Sequence, residues 1–261
     1  MQVLNVIKIG GNIIDDPEKC ADFLQQFAAL PGAKILVHGG GKIATEIGEK
    51  LGIEAHYIGG RRVTDAPTLE LVTMVYGGLI NKNITARLQA LNCKAIGLTG
   101  ADGNIIAAKK RPVKDIDYGH VGDVNANGVN ASLLSTLLNA GLVPVLAPLT
   151  HDSEGHLLNT NADTIAQEVA KALAATHHVQ LIYCFEKAGV LTDPNDDTSV
   201  IHSIHEDQFR QLVQEGTISG GMIPKLENAF AAIHKGVTQV IICCADDLPA
   251  LIHYSSGTHI Q

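Results

Sequence analysis

The sequence predicts an α/β fold in which helices cover a mainly parallel β-sheet. Short apolar segments with strand character alternate with helical segments along the chain, an order that is typical of parallel sheets. Of the 261 residues, 46% are hydrophobic, but only 4% are aromatic and none is tryptophan. Such an aliphatic composition suits parallel strands that are buried on both faces. The chain is long enough for one large core, and no linker rich in proline, glycine or serine separates independent domains.

Hydrophobic periodicity and the residues at segment ends define the elements of the first half of the chain. The helix after the first strand begins near Asp16-Pro17-Glu18, because an early proline and acidic residues suit a helix N-terminus. Gly59-Gly60 marks the tip of a hairpin, and a kink is expected at Gly77-Gly78. The predicted segments are strand 2–9, helix 16–30, strand 34–38, helix 42–51, hairpin 54–64, helix 68–92, strand 94–98 and a second ribbon over about 104–122.

The second half of the chain continues the alternation of helix and strand. Asn161 is a suitable N-cap for a helix that begins at residue 162. The run Val143-Pro144-Val145-Leu146-Ala147 is continuously apolar, which indicates a strand that is buried on both faces. The predicted segments are helix 131–140, strand 143–147, helix 162–175, strand 179–183, helix 206–215, helix 222–236, strand 238–242 and a short helix–strand tail.

Two buried strands near the N-terminus run directly into glycine turns. The first ends in Lys8-Ile9-Gly10-Gly11, and the second ends in His38-Gly39-Gly40-Gly41-Lys42 and is followed by a helix. A single glycine pair is most often only a tight turn. Two such turns on neighbouring strands, however, can direct backbone N–H groups at one ligand, and a helix that starts there favours an anion. The two turns together therefore predict a site for a phosphate-bearing ligand.

Neither of two common nucleotide motifs is satisfied in full. A Walker P-loop requires Ser or Thr after Gly-Lys, whereas Gly41-Lys42 precedes Ile43. Residues 39–44 satisfy the G-x-G-x-x-A fingerprint of a dinucleotide site, which also requires an acidic residue about 20 positions later. At that place the next apolar run ends in Gly59-Gly60-Arg61-Arg62. A nicotinamide-dependent Rossmann oxidoreductase therefore remains only a minor alternative.

Composition argues against several other classes of protein. The formal charge of −8 and the lack of a polybasic run disfavour a nucleic-acid partner. No apolar stretch reaches 18 residues and the N-terminus lacks the layout of a signal peptide, so no membrane partner is expected. Five cysteines without C-x-x-C spacing indicate reduced core residues in a cytoplasmic protein. His202 and His205 share a helical spacing, but without a third ligand no metal site is predicted.

Two polar clusters at later helix starts contain residues that capping alone does not require. Asn159 and Asp163 flank the predicted cap Asn161, although an acidic residue in a first helical turn is also common for the helix dipole alone. Lys225 stands in the first turn of the helix that follows residues 218–221, where a positive charge opposes the dipole. A bound anion would offset that cost, so Lys225 is the stronger indication of function.

These motifs, in this order, resemble the amino acid kinase family, and within it the enzymes that phosphorylate an N-acylated glutamate. The motifs are K-x-G-G at 8–11, H-G-G-G at 38–41, G-x-R-V-T at 60–64, N-x-N-A-D at 159–163 and G-G-M-x-x-K at 220–225. The resemblance implies an open αβα sandwich, the amino acid kinase fold, with two lobes sharing one sheet. The N-terminal lobe (1–175) would bind the acylated amino acid and dimerise, and the C-terminal lobe (176–261) would bind ATP. The implied reaction transfers the γ-phosphoryl group to the side-chain carboxylate of N-acetylglutamate, in arginine biosynthesis.

The resemblance also assigns roles to the motif residues, and these roles suit phosphoryl transfer, which needs alignment and positive charge around the reacting phosphate. Asp163 would orient both lysines through charge-assisted contacts. The implied catalytic residues are Lys8, Asp163 and Lys225. The backbone N–H groups expected to bind phosphoryl oxygens are those of Gly10, Gly11 and Gly40. The residues expected to bind the acylated glutamate are Gly40, Gly41, Arg62 and Asn159.

The expected ATP site surrounds the end of strand 179–183. Glu186 departs from the family pattern, because relatives often carry an aspartate there. ATP is expected to carry Mg²⁺ mainly through its phosphates and water, since no carboxylate cluster offers a protein cage. The residues expected to bind the nucleotide are Glu186, Lys187, Gly189, Val190, Leu191, Ile218 and Ser219.

Arg61, beside the expected acceptor ligand Arg62, is a second departure from the family pattern. The simpler explanation is a solvated surface arginine. The other explanation is an acceptor with a longer, negatively charged acyl group, such as succinyl. An N-succinylglutamate kinase, or another member of the family, therefore remains an alternative function.

A homodimer is expected from the resemblance, with the apolar face of the helix at 68–92 as its surface. Ordinary core packing explains that apolar face equally well. Relatives that arginine inhibits carry an additional N-terminal helix ahead of the first strand, which links dimers into hexamers. Here the first strand begins by Val3, and a helix of two turns would need about seven residues. An enzyme that arginine does not inhibit is therefore expected.

Overall fold

The structure, a computed structural model, describes residues 1–193, 195–220, 222–248 and 256–261. Gly221 of the expected glycine motif lies outside the described residues, as does the part of the expected C-terminal tail at 249–255. Within the described ranges, no helix combines the length and the apolar character that crossing a membrane requires.

Fourteen strands of the described residues form three sheets, of eight, four and two strands. In chain order, the strands are β1 (Val3–Ile9), β2 (Ala33–His38), β3 (Tyr57–Ile58), β4 (Arg61–Arg62), β5 (Ala95–Leu98), β6 (Ile106–Lys110), β7 (Gly122–Val129), β8 (Val143–Leu146), β9 (Leu149–His151), β10 (Leu157–Asn159), β11 (His178–Phe185), β12 (Ser203–Ile204), β13 (Gln239–Cys244) and β14 (Thr258–Ile260).

The helices lie between these strands, much as the periodicity predicts. In chain order, the α-helices of the described residues are α1 (Gly11–Ile14), α2 (Pro17–Ala29), α3 (Gly41–Lys50), α4 (Ala66–Val72), α5 (Asn81–Ala90), α6 (Ala131–Asn139), α7 (Ala162–Leu173), α8 (Glu206–Gln214) and α9 (Met222–Ile233). The side chains of Asp16 and Asn161 cap α2 and α7, each by accepting hydrogen bonds from two backbone N–H groups of the first turn.

The eight-stranded sheet has the order β12-β14-β13-β11-β1-β2-β8-β5, and all its neighbours are parallel except β13 and β14. The central strand β1 pairs through Lys8 with Tyr183 of β11 and with Val37 of β2. Because parallel strands point the same way, the turns that follow β1, β2, β11 and β13 meet at one edge of the sheet. The expected site residues lie along this edge.

Apolar side chains bury both faces of the large sheet. Alternation along β1 directs Ile7 and Ile9 into one core, which includes Phe23 of α2, and directs Leu4 and Val6 into the other. The second core includes apolar residues of α6, α7, α8 and α9. Helices thus cover both faces, and the predicted αβα sandwich is confirmed.

Both expected lobes contribute to the one large sheet. Strands β1, β2, β5 and β8 come from residues before 175, whereas β11 to β14 come from residues after it. The division of labour between 1–175 and 176–261 stays a prediction.

The second ribbon differs from its prediction. The sequence places it over about 104–122, whereas the structure forms a four-stranded sheet of order β10-β9-β6-β7 in which β7 only begins at Gly122. Strand β7 is rich in glycine and asparagine, which are typical of loops, and β9 and β10 have only three residues each. Strands of this kind leave little periodicity for a sequence pattern to detect.

The long helix predicted at 68–92 is formed by α4 and α5, which an eight-residue π-helical segment joins. This segment, Thr73–Ile80, contains Gly77-Gly78, so a π-helical segment stands where a kink was expected. Its buried residues Tyr76 and Ile80 face the second glycine turn, where both lie close to Gly40. Segments with π geometry are frequent at functional sites.

Candidate active site

A groove of four adjoining clefts follows the edge of the large sheet where the glycine turns meet. We name them by position: the hairpin cleft of about 180 Å³, the central cleft of about 370 Å³, the turn cleft of about 340 Å³ and the outer cleft of about 160 Å³. Neighbouring clefts share lining residues. Arg61 lines both the hairpin and the central cleft, Lys225 lines both the central and the turn cleft, and Lys187 lines both the turn and the outer cleft. The groove is therefore continuous.

Lys8 and Asp163 form an ion pair in the middle of this groove. Lys8 is a buried residue of β1, Asp163 belongs to the first turn of α7, and Nζ lies 2.9 Å from Oδ1. The N-terminus of a helix suits an acidic side chain, so the first turn of α7 is a favourable place for Asp163 beside the lysine. The structure thus brings together two of the three residues expected to be catalytic.

Lys225 lies on the same site, and the ring of Phe185 connects it with Lys8. The Nζ of Lys225 is 4.2 Å from the ring centroid of Phe185, and the Nζ of Lys8 is 5.2 Å from it. Burial lowers the pKa of Lys225, the Asp163 carboxylate raises it, and the charge of Lys8 lowers it further. Two ammonium groups and one carboxylate leave a net positive charge that suits an anion. The sequence analysis missed Phe185, because its contacts with Lys8 and Lys225 join residues that are far apart in the chain.

The first glycine turn is bonded to β11 through Gly10 and begins α1 at Gly11. The backbone N–H of Gly10 donates a hydrogen bond of 3.3 Å to the carbonyl of Cys184 in β11. That N–H group has a backbone acceptor in this structure, and its expected contact with a phosphoryl oxygen stays a prediction. Gly11 begins α1 and lines the turn cleft with Lys8, so its N–H is among those without an acceptor inside the helix.

The second glycine turn requires glycine at residue 40. Gly40 has φ of 145°, and a Cβ atom there would lie 2.3 Å from Cδ1 of Ile80. Gly41 then begins α3, whose first N–H groups lack acceptors inside the helix. Both glycines line the hairpin cleft.

A buried histidine fixes the backbone ahead of this turn. Burial lowers the pKa of His38 to about 4, so its ring is neutral at neutral pH. In the tautomer that fits its neighbours, Nδ1 donates to the carbonyl of Gly39 at 2.7 Å, and Nε2 accepts from Nδ2 of Asn81 at 3.1 Å. Asn81 also donates to the carbonyl of Val145 in β8. The sequence motif contained His38. Its role in supporting the glycine turn became visible only from its contact with Asn81, which is distant in the sequence.

The β3–β4 hairpin places the expected acceptor ligand Arg62 in the hairpin cleft. Arg62 is 8% exposed, and its Nη2 donates to the carbonyl of Gly41 and to Oγ1 of Thr45, both at 2.7 Å. The same nitrogen contacts the hydroxyl of Tyr57, which the sequence analysis did not identify. These contacts engage Nη2 and fix the plane of the guanidinium, which also lies over the Tyr57 ring at 4.8 Å from its centroid.

Asn159 completes the hairpin cleft from the opposite side. Its Nδ2 donates to Oγ1 of the buried Thr64 at 3.0 Å, and its backbone N–H donates to the carbonyl of His120. Gly40, Gly41, Arg62 and Asn159, the four residues expected to bind the acylated glutamate, line this one cleft.

The expected nucleotide residues lie at the far end of the groove. Of the seven residues expected to bind the nucleotide, six line the outer cleft, and Glu186 lines only the turn cleft. The exposed ion pair between Lys187 and Asp197, at 2.7 Å, contributes little to stability and leaves Lys187 able to exchange partners. The residues that line the outer cleft are Lys187, Gly189, Val190, Leu191, Ile218 and Ser219, together with Thr217 and Met222.

Within the part of the chain that the structure describes, no group of three or more His, Cys, Asp or Glu side chains could hold a metal ion. A divalent cation in this groove would therefore depend on oxygen atoms that a ligand supplies.

Sequence comparisons identify the family of the chain. The sequence profile of the amino acid kinase family matches residues 4–244. A protein of Parabacteroides distasonis named acetylglutamate kinase is 57% identical over 260 residues, which is 100% of each chain. The acetylglutamate kinase of Cytophaga hutchinsonii is 58% identical over 254 residues, covering 97% of this chain and 96% of that one.

Solved structures share the fold. The N-acetylglutamate synthase from Neisseria gonorrhoeae, complexed with coenzyme A and N-acetyl-glutamate, has a TM-score of 0.81 at 21% identity, and the match covers 98% of this chain and 59% of that chain. Carbamate kinase from Giardia lamblia, bound to AMP-PNP, has a TM-score of 0.69 at 14% identity, covering 98% and 97%. At these identities the similarity shows the fold alone.

Proposed function

The chain belongs to the amino acid kinase family, and we propose that it transfers the γ-phosphoryl group of ATP to the side-chain carboxylate of N-acetylglutamate. The observation that carries the proposal is the cluster of Lys8, Asp163 and Lys225 in the middle of the groove. Clefts on either side of this cluster suit two small substrates that must meet there.

The reaction requires no general base. The acceptor carboxylate is ionised at neutral pH, so one of its oxygens can attack the γ-phosphorus directly. An O–P bond forms to the acceptor, the bond to the bridging oxygen of ADP breaks, and ADP leaves with that electron pair. Lys8 and Lys225 stabilise the negative charge that spreads over the phosphoryl oxygens. Asp163 holds Lys8 by direct contact and favours the charged form of Lys225.

The acceptor occupies the hairpin cleft and the nucleotide occupies the turn and outer clefts. Arg62 would bind the α-carboxylate of the acceptor, and Asn159 its acylated amino group, because both side chains line that cleft. The phosphates of ATP would lie by the start of α1, and its base and ribose near Val190 and Ile218. Mg²⁺ would be bound by the phosphates and water, and would neutralise charge on the leaving ADP.

A cytoplasmic homodimer is the assembly we propose. Four of the five cysteines are buried, as core residues of a protein from a reducing compartment would be. On the π-helical segment, Met74 is 58% exposed and Leu79 is 46% exposed, which supports the long helix as a contact surface.

The alternatives are less well supported. The relatives described above are named for acetylglutamate, which does not favour N-succinylglutamate as the acceptor. A nicotinamide-dependent oxidoreductase has no support in the family match.

A side-by-side assay tests the proposal. ADP release is measured with N-acetylglutamate, N-succinylglutamate and free glutamate, at equal concentrations and with the same Mg-ATP. N-acetylglutamate should give the highest kcat/KM, and free glutamate should give almost no activity because its amino group is charged. Equal activity with no acceptor present, or a clear preference for another acceptor, would contradict the proposal.

A further inference from the structure

Arg61 lies where the hairpin cleft and the central cleft meet, and it lines both of them. It precedes Arg62 in β4, and successive side chains of a strand point to opposite sides. Arg62 is bound to the start of α3, so Arg61 is directed away from those contacts. The backbone therefore presents one arginine to the acceptor end of the groove and the other to the cleft that contains Asp163 and Lys225.

Within the described residues, no hydrogen bond or ion pair engages the side chain of the half-buried Arg61, whereas the side chain of Arg62 has three polar contacts. Asp163, the acidic residue among those that line the central cleft, is already paired with Lys8. Arg61 and Lys225 line the same cleft with two positive charges, a lining that suits a bound anion. A purely solvated surface arginine does not require a position in the lining of two clefts.

We propose that Arg61 is a further catalytic residue, which donates hydrogen bonds to the phosphoryl group as it passes from ATP to the acceptor. The inference rests on the proposed function, because the phosphoryl group must cross the junction between the acceptor cleft and the central cleft. Arg61 neither gives nor takes a proton, since a guanidinium stays charged throughout. It binds the transferring oxygens where the hairpin cleft meets the central cleft, which Lys225 also lines.

The test compares Arg61→Met and Arg61→Lys with Arg210→Met, a matched control. Arg210 is exposed on α8, where it pairs only with Glu206 in the described structure. With N-acetylglutamate and Mg-ATP, Arg61→Met should lower kcat on the order of 10²-fold and leave both KM values within about threefold. Arg61→Lys should retain part of the lost rate, because it keeps the charge but not the bidentate geometry. Arg210→Met should match the wild type.

Chemical rescue separates a direct role from a structural one. Millimolar guanidinium should restore part of the kcat of Arg61→Ala, whereas the same concentration of urea should not. A kcat unchanged in Arg61→Met, a change only in the acceptor KM, or a loss confined to N-succinylglutamate would overturn the proposal, and so would a lack of rescue. If the wild type does not phosphorylate N-acetylglutamate, the proposed function fails instead, so the two failures are distinguishable.

Discussion

At the scale of single residues, the site depends on three charged side chains from distant parts of the chain. Lys8 is next to the last residue of β1, and Asp163 and Lys225 lie in the first turns of α7 and α9, yet all three meet in the groove. Phe185 keeps the two ammonium groups on one ring, which limits their solvation without neutralising them. Such a site stabilises charge that develops during phosphoryl transfer more than charge that is already present in the bound substrates.

Removal of either lysine tests this assignment. Lys8→Ala and Lys225→Ala should each lower kcat by on the order of 10²-fold or more, with smaller effects on both KM values. Lys235→Ala, which changes an exposed lysine beyond the end of α9, is the matched control. Steady-state kinetics that show near-normal turnover in either variant would mean that the assigned role of that lysine is wrong.

Gly40 offers a second test at the residue scale. Gly40→Ala combines an unfavourable φ with a Cβ that would lie 2.3 Å from Ile80, so it should destabilise the fold by about 2 to 4 kcal/mol. Gly141→Ala shares a positive φ but meets no atom within 4 Å, and should cost about 1 kcal/mol. Urea unfolding of both variants gives the comparison, and equal losses of stability would show that the contact with Ile80 is unimportant.

At the scale of elements, one unit recurs: a buried strand, a glycine turn and a helix start. The turn after β2 is the better supported of the two, because His38 and Asn81 connect it to α5 and β8. The turn after β1 is tied to β11 by the N–H of Gly10. Rigid strands thus hold both turns, and the N–H groups that remain are oriented before a ligand arrives.

The neutral state of His38 predicts a pH dependence of stability. Its pKa falls from 6.5 to about 4 on folding, so between these values the unfolded chain binds a proton that the folded chain does not. Above pH 6.5 the ring is neutral in both states and does not reduce the free energy of unfolding. As the pH falls from 6.5 towards 4, the free energy of unfolding decreases by on the order of 3 kcal/mol through this group.

Urea unfolding at several pH values between 7 and 4 measures this dependence. The wild type should lose more free energy of unfolding over that range than His38→Gln, which shares every other titrating group. Parallel curves for the two proteins would contradict a neutral, buried His38. An NMR titration of the histidine rings in the wild type gives an independent readout should the variant fold poorly.

At the scale of the whole molecule, the sequence predicted the central layers better than the second, smaller sheet. Mainly apolar strands such as β1 and β11 are largely buried, so their composition identified them. Strand β7, with its asparagines, follows tertiary pairing more than local preference.

For the site, too, the sequence indicated features that depend on local residues and missed those that depend on distant contacts. Glycine turns and helix starts are local features, so the sequence pattern pointed to Gly40 and Lys225, whereas the expected role of Arg62 came from the family resemblance. The engagement of the Gly10 N–H, the support from Asn81 and the ring of Phe185 depend on neighbours that are far away in the chain. Sequence patterns contain no signal for such contacts.

The proposed homodimer is a prediction at this scale. Light scattering should give a dimer, and Leu79→Asp should favour the monomer, because the exposed Leu79 on the long helix would place a charge in the contact. Val113→Asp, at a residue that is 61% exposed elsewhere, should leave the dimer intact. A monomeric wild type, or a hexamer, would overturn the proposed assembly.

The most direct test of the central claim identifies the bond that the enzyme forms. After incubation with Mg-ATP and N-acetylglutamate, hydroxylamine converts an acyl phosphate into a stable hydroxamate, and tandem mass spectrometry locates it. A phosphoryl transfer across this groove predicts a hydroxamate on the side-chain carbonyl with the wild type, and almost none with Lys8→Ala. ADP release without any hydroxamate, or a hydroxamate on the α-carboxyl group, would contradict the account.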